Sequence, residues 1–366
     1  MLRQLKPNPI SGGNRVRVPV SVSILKPLKG ADPALTENLR SFFQLKHPVP
    51  FELLFSLENA NDPAYAVIKS LCEEFSTVSS KIYFSQETSS EFQHFGLNPK
   101  IKNLAKSYEE ATHDVILISD SNVKVLPDML STIADELDAT TGLVTSIVAG
   151  TKFEGVGGYL EAMYLNTFYA RFNAIANEYA KPCVVGKSML FRKSTATRFG
   201  GLKVLSQFLA EDFMAGESMA RLGLRVKTAR EPVTQIIGEH SFMQFWRRHE
   251  RWGRIRKAHA PLAFLVEPLS SSLLAGSLGA LACHMIWQVN FLPVFVASLL
   301  FCGLMDLIQF WRLSGRPKQW YLWPFFWLFR ESLALPLWIW IGSSDTVIWR
   351  GNRLRLAPGG LLKENR

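Results

Sequence analysis

From residue 269 onward three apolar runs follow one another: Leu269–Trp287, Phe291–Trp311 and Trp320–Ile341. Each approaches the roughly 20 residues that a helix needs to cross the hydrocarbon core of a bilayer. The chain of 366 residues is 48% apolar, close to an ordinary globular average, and that average conceals the split. Charge concentrates in the first two thirds, so a charged globular part is expected before a membrane-associated one. Gly and Pro follow no period, which excludes collagen-like and low-complexity chains.

Polar residues interrupt the apolar runs. The second carries Asp306 and Gln309, and the third has Arg330 and Glu331 at its centre with Pro336 beyond. Ionisable groups at that depth are costly unless they face protein or water, so they mark internal pairs or contacts to a ligand headgroup. The short basic loop 312–318 should stay on the cytosolic side. Three full spans would then carry Arg350, Arg353 and Arg355 across, against the same rule. A third run that dips in and returns, or lies along the interface, removes the conflict. The opening MLRQLKPNPISGGNRVRV is polar and broken by Pro and Gly, so no signal peptide is expected and the globular part should face the cytosol. Cys72, Cys183, Cys283 and Cys302 lie far apart without CxxC spacing, which points to buried free thiols.

Between Val18 and Phe191 short apolar segments alternate with helical ones. VPVSVSILKPL, FELLFSL (51–57), KIYFS (81–85) and DVILISD (114–120) read as strands. Residues 33–43, 63–75 and 100–110 read as helices between them. Later strands are expected over 142–148 and 183–191, separated by an amphipathic segment over 157–177. This alternation predicts βαβ units and an α/β domain built on a parallel sheet covered on both faces. The divisions expected are a polar tail (1–17), a catalytic domain (18–240), a basic amphipathic helix (241–260) and a membrane region with a basic tail (261–366).

Ligands of open parallel sheets sit beyond the carboxyl ends of the strands. DVILISDSNV ends an apolar strand in Asp120, where a carboxylate could hold a divalent cation facing a diphosphate, or cap the next helix. Glu211–Asp212 stand where helical spacing begins: a general base, or acidic residues complementing the helix dipole. GKS at 186–188 lacks the preceding glycines of a P-loop, and the glycines at 155–158 lack the third of a dinucleotide fingerprint. The net charge is +10, with 41 Lys and Arg against 31 Asp and Glu, and residues 247–257 carry six of the cations. Inside that cluster Arg248 and Arg251 share a helix face with Trp252 beside them. Such a face can clamp a diphosphate or anchor at lipid phosphates. Nucleic acid is not the expected partner, because the cluster borders membrane-like sequence and no nucleic-acid-binding motif accompanies it.

In order, VSVSILKPLKGADPALTENL, NPKIKNL (98–104), ISDSN (118–122), GKSML (186–190), AEDFMA (210–215), the RxxRW of 248–252, FRES (329–332) and WRGNRLRL span nearly the whole chain. The chain so resembles the ceramide glucosyltransferases, inverting membrane glycosyltransferases of the GT-A fold. The resemblance implies a Rossmann-like GT-A nucleotide-diphospho-sugar transferase domain with a C-terminal α-helical membrane region. It implies transfer from UDP-glucose to the primary hydroxyl of ceramide, aided by Mg²⁺ or Mn²⁺. By position it makes Asp212 the catalytic base and Asp120 the metal and diphosphate residue. Lys100, Arg248 and Arg251 join the donor site, while Glu211 and Trp252 belong to the acceptor and closing motif. Relatives usually place an Asp after the second strand; this chain has Leu57–Glu58–Asn59–Ala60–Asn61–Asp62, so Glu58, Asn59 and Asp62 are the candidates for contacting uridine. Relatives in eukaryotes carry an N-terminal membrane helix, and here anchoring is expected from the C-terminal runs. A different sugar on another lipid alcohol, such as a hopanoid, is the neighbouring reading, and an inactive membrane scaffold the remote one.

Overall fold

The computed structural model describes residues 19–87, 96–179, 182–349 and 352–363; the expected polar tail, 1–17, lies outside them. A seven-stranded sheet organises the first part, in the order β3-β2-β1-β4-β8-β6-β9. Its strands are β1 (Val22–Pro27), β2 (Phe51–Leu57), β3 (Ser80–Phe84), β4 (Val115–Ile118), β6 (Thr141–Thr145), β8 (Met189–Arg192) and β9 (Arg225–Thr228). The connecting helices are α1 (Leu35–Phe43), α2 (Ala64–Glu74), α3 (Pro99–Glu109) and α4 (Met129–Ala134).

The strands bury both faces, as their near-continuous apolar runs require. Ile24, Leu53, Phe55 and Leu117 join the core shared with Leu39 and Phe42 of α1 and Ile68 of α2. Their alternates Leu25, Leu54, Ile116 and Ile118 pack with Ile101 and Leu104 of α3. This is the period-two division of a strand between two layers.

The expectation of a wholly parallel sheet needs correction. β1, β2, β3 and β4 are parallel, and so are β6 and β9, but β8 runs antiparallel to both β4 and β6. After β6 the chain makes a long excursion and re-enters the sheet from the carboxyl edge of β4, with Met189 opposite Ile118. Loop 182–188 therefore sits at the edge where ligands of such sheets bind. The excursion contains β7 (Val148–Glu154), α5 (Gly155–Tyr164), a π-helical turn (Leu165–Tyr169) and α6 (Ala170–Tyr179). β7 pairs in parallel with β10 (Val233–Glu239), which pairs antiparallel with β5 (Val123–Lys124), forming a small second sheet. Between β8 and β9 lies α7 (Glu211–Arg221), preceded by two short helical turns.

The C-terminal third is helical: α8 (Phe242–His259), α9 (Pro261–Val266), α10 (Ser272–Trp287), α11 (Phe291–Ser314) and α12 (Trp323–Gly342). A capping box between Ser241 and Gln244 starts α8. Among the described residues α11 alone is long and apolar enough to cross a membrane, and residues 261–270 and 272–287 qualify together as a pair bent by 72°. α12 does not stand free. Tyr159 of α5 stacks on Phe326 at 4.4 Å. At the far end of α12 Lys257 donates to the carbonyls of Gly342 and Ser344, and the Trp340 indole donates to Glu250 at 2.9 Å. Gly253 permits this approach, since a Cβ there would lie 2.3 Å from Ile341.

The polar residues of the apolar runs are structural anchors. Asp306 pairs with Arg171 and accepts the Trp327 indole N–H at 2.8 Å. Gln309 donates to the carbonyls of Asn166 and Thr167. Glu331 pairs with Arg330 and accepts from the backbone N–H of Ser272 at 2.6 Å and from the Ser271 hydroxyl, satisfying the start of α10. A three-stranded antiparallel sheet of β11 (Thr346–Trp349), β12 (Asn352–Leu356) and β13 (Leu362–Lys363) closes the chain. Its Val347 and Leu356 pack with Leu209 and Ile255, returning the C-terminal segment to the loop before α7 and to α8. The four cysteines are free thiols, but half-buried rather than buried as expected.

Candidate active site

A cavity of about 820 Å³ opens beyond the carboxyl ends of β1 and β4. Asp120, two residues past β4, lines it. The helix-cap alternative fails, because Asp120 leads into β5 and the next helix, α4, begins only at Met129. Lys100 reaches Asp120 from α3. Asn98 explains why: its side chain caps α3 by accepting from the N–H groups of Lys100 and Ile101, Pro99 occupies the first turn, and Lys100 is left facing the cavity. The NPK motif is thus a helix start built to present an ammonium.

Lys100 Nζ lies 2.8 Å from Asp120 Oδ1 and 2.7 Å from Glu211 Oε1. Glu211, nearly inaccessible, also accepts from the Asn98 side-chain amide at 3.0 Å. Lys187, in the loop entering β8, lies 3.2 Å from Asp120 Oδ2 and also donates to Asn122 Oδ1. From below, the fully buried Lys26 of β1 donates to the Asp120 backbone carbonyl at 2.6 Å. Burial disfavours every charge here, yet the two ammoniums hold the Asp120 carboxyl well below the usual carboxylate range. Burial is likewise overcome at Lys100, which Asp120, Glu211 and Asp212 keep firmly protonated.

Asp212 behaves differently. It sits in the first turn of α7 and accepts from the backbone N–H of Gly186 at 2.8 Å and of Phe213 at 2.8 Å. Burial and then the neighbouring Glu211 raise its pKa to about 6. Two adjacent carboxylates thereby differ in environment: Glu211 is locked in an ion pair with Lys100, and Asp212 has, among the described residues, no ion pair of that kind and a raised pKa. Gly186 is the floor of the site, for a Cβ there would come 2.6 Å from Lys100 Nζ and 3.5 Å from Asp212 Oδ2.

α8 supplies the opposite wall. Arg248, Arg251 and Trp252 all line the cavity, with the Arg248 guanidinium 4.5 Å from the Trp252 ring centroid. Glu161 of α5, wholly buried, fixes this wall: Oε1 lies 3.2 Å from Arg248 Nε, and Oε2 lies 2.8 Å from His249 Nε2. Against the cost of burial, Arg248 and His249 bring the Glu161 carboxyl down to about 2. Glu58, Asn59 and Asp62 are not among the residues lining the cavity. Glu58 pairs with Lys29, Asn59 accepts from the N–H of Asn61, and Asp62 accepts from the N–H groups of Gly30 and Ala64. Gly30 has φ +75°, so Asp62 pins a turn that glycine alone adopts freely.

Lys187, from the GKS of 186–188, lines the cavity, while Lys26, Glu161 and His249 belong to this constellation without having been singled out in the sequence as site residues. A lysine interrupting the apolar VSILKP strand is the one local signal among them. As to a metal, no group of three or more His, Cys, Asp and Glu side chains converges among the described residues. The hard oxygen donors at hand are the Asp120 carboxylate and the Asn122 amide. They suit Mg²⁺ or Mn²⁺ in the mode that takes one or two protein ligands and completes its shell with substrate phosphates.

The family model described as Glycosyl transferase family 21 matches residues 10–362. Ceramide glucosyltransferase 3 of Caenorhabditis elegans is 31% identical over 346 residues, covering 93% of this chain and 73% of the relative. Ceramide glucosyltransferase 1 of the same organism is 28% identical over 94% and 73% of the two chains. The ceramide glucosyltransferase of Komagataella phaffii is 28% identical over 92% and 82%.

Glu161→Gln should destabilise the protein by about 3 kcal/mol, because it leaves the Arg248 guanidinium without its carboxylate. Chemical denaturation in detergent measures this; an unchanged midpoint would show that the pair contributes nothing.

Proposed function

The chain belongs to glycosyl transferase family 21, and from that premise we propose that it moves glucose from UDP-glucose to the primary hydroxyl of ceramide, giving a β-glucosylceramide. The observation that carries this reading is the placement of Asp212. Its raised carboxylate lies where the cationic end of the cavity meets the wall of Trp252 and α6.

The chemistry follows from charges at named atoms. Lys100, Lys187, Arg248 and Arg251 face the space where a diphosphate would lie and stabilise the negative charge that builds on the departing UDP. Mg²⁺ or Mn²⁺, when bound, would be held by Asp120 and neutralise diphosphate charge. Asp212 takes the proton of the acceptor hydroxyl as its oxygen attacks the anomeric carbon from the face opposite the leaving group. The α-linkage of the donor becomes β without a covalent intermediate on the enzyme. A base with a pKa of about 6 is ionised at neutral pH yet basic enough to share the proton in the transition state.

The lipid acceptor requires a membrane, and the helices support a shallow attachment from the cytosolic face. α9 and the C-terminal half of α11 both dock on the catalytic domain, so α10 and α11 form a hairpin with both ends on one side. The 16 residues of α10 rise only about 24 Å, short of the ~30 Å hydrocarbon core. α12, bound at both ends to the catalytic side, lies along the interface. The basic tail then stays with the catalytic domain, as the charge rule prefers.

Asp212→Asn should lower transfer by on the order of 10²–10⁴-fold while sparing UDP-glucose affinity measured by calorimetry; lost binding would argue against a base role. In the unaltered enzyme kcat/KM should fall as pH drops through about 6, because protonated Asp212 cannot accept the proton. Asp120→Ala should weaken UDP-glucose binding and abolish its dependence on added Mg²⁺ or Mn²⁺; an unchanged metal response would remove Asp120 as the ligand. A cysteine placed at Gln288, in a variant lacking its other thiols, should resist an impermeant maleimide added to either side of sealed vesicles. Labelling from the face opposite the catalytic domain would establish full spans instead. The reaction itself is tested by UDP release from UDP-glucose with ceramide and a divalent ion: a new β-glucosyl lipid supports the proposal, and release only with another lipid alcohol would replace the acceptor.

A further inference from the structure

The active-site cavity is longer than its chemistry needs. One end holds Lys100, Asp120, Lys187 and Asp212. The other runs between Phe172, Ile175 and Ala176 of α6 and Pro261, Leu262 and Ala263 of α9. A residue that lines a cavity and is also exposed marks the mouth, and two apolar residues do so here: Ile175, 59% exposed, and Leu262, 79% exposed. Ala176, one residue inward from Ile175, is buried in the wall. The outer lip continues into an apolar surface, because Leu265, Val266 and Leu269 beyond Leu262 are also exposed. A contiguous apolar surface of this kind is a liability in water and fits an acyl layer. It also belongs to the bent pair of helices that leads into the α10–α11 hairpin.

Resting on the reading of the acceptor as a lipid alcohol, we infer that a hydrocarbon chain of that lipid enters sideways from the bilayer between Ile175 and Leu262, lies against Phe172 and Ala176, and so brings its hydroxyl to Asp212. The polar end of the cavity excludes a hydrocarbon chain, since it would desolvate Lys100, Asp120 and Lys187 without offering them a partner. The apolar end gives the same chain a dry wall and a mouth already inside the lipid layer. The site thus measures the acceptor along its chain while the donor is read at the other end.

Two variants test this in the full-length, detergent-solubilised enzyme. Ala176→Trp fills the inner wall. Leu262→Glu puts a carboxylate on the exposed lip, where it does not threaten folding. UDP release is followed with UDP-glucose and either a ceramide bearing a C16 acyl chain or a doubly truncated one (C8 base, C6 acyl). Each variant should lower the ratio of kcat/KM for the long acceptor over the short one by at least tenfold. Leu265→Glu, comparably exposed but outside the cavity, should leave that ratio where it was. A ratio unchanged in Leu262→Glu, or shifted equally by Leu265→Glu, overturns the entrance whatever happens to Ala176→Trp. If the unaltered enzyme transfers glucose to neither ceramide, the acceptor reading itself fails and the entrance falls with it.

Discussion

The ion pairs of Lys100 with Asp120 and Glu211 hold the catalytic centre in register. They join three pieces of chain distant in sequence: the start of α3, the end of β4 and the start of α7. Buried charges are tolerated only when paired, and here each of Lys100 and Asp120 has two partners. Removing Lys100 would leave the nearly inaccessible Glu211 carboxylate without its cation, while Asp120 would keep Lys187. Lys26 and Lys187 complete the enclosure of Asp120 from below and from the side. Asp212 is the exception, held by backbone N–H groups rather than by a cation of its own, and is thereby left able to exchange a proton.

The antiparallel β8 is what makes this knot possible. A parallel strand in its place would carry its incoming loop to the opposite edge of the sheet, and Gly186–Lys187 would lie far from Asp120. Entering from the carboxyl edge, the loop delivers a glycine floor, an N–H for Asp212 and a second ammonium in one short stretch. Local sequence gives no hint of that direction, since strand polarity is set by where the preceding excursion ends.

Much of the architecture was nevertheless legible. The alternating apolar segments placed β1 to β4 and their helices close to where they fall, because hydrophobic period is a local property. The brief strands β5 and β9 escaped notice, being too short or too polar to rise above their surroundings, and the seven-residue β10 did so because Thr234, Gln235 and Gly238 interrupt its apolar residues. In the site, Asp120 and Asp212 were readable because each ends or starts a recognisable element. Glu161 was not: it lies in α5, which is buried from Gly157 to Tyr164 rather than amphipathic as expected, and its role arises only from facing Arg248 and His249, nearly ninety residues away. The polar residues within the apolar runs were readable as anomalies, but only packing disclosed that Asp306 and Gln309 fasten α11 to the sheet domain and that Glu331 ties α12 to the start of α10.

The docking of α12 at both ends has a consequence for what becomes of the product. In the attachment proposed above every anchoring contact lies on one side, and the hairpin of α10 and α11 enters and leaves the membrane by that same face. With the attachment proposed above, the enzyme draws its lipid from a single leaflet and returns the sugar-bearing lipid to that same leaflet. A hydrated glucosyl headgroup does not cross the hydrocarbon layer unaided. Any appearance of the glycolipid on the far surface must then depend on a separate translocating protein, so synthesis and sidedness are divided between two machines.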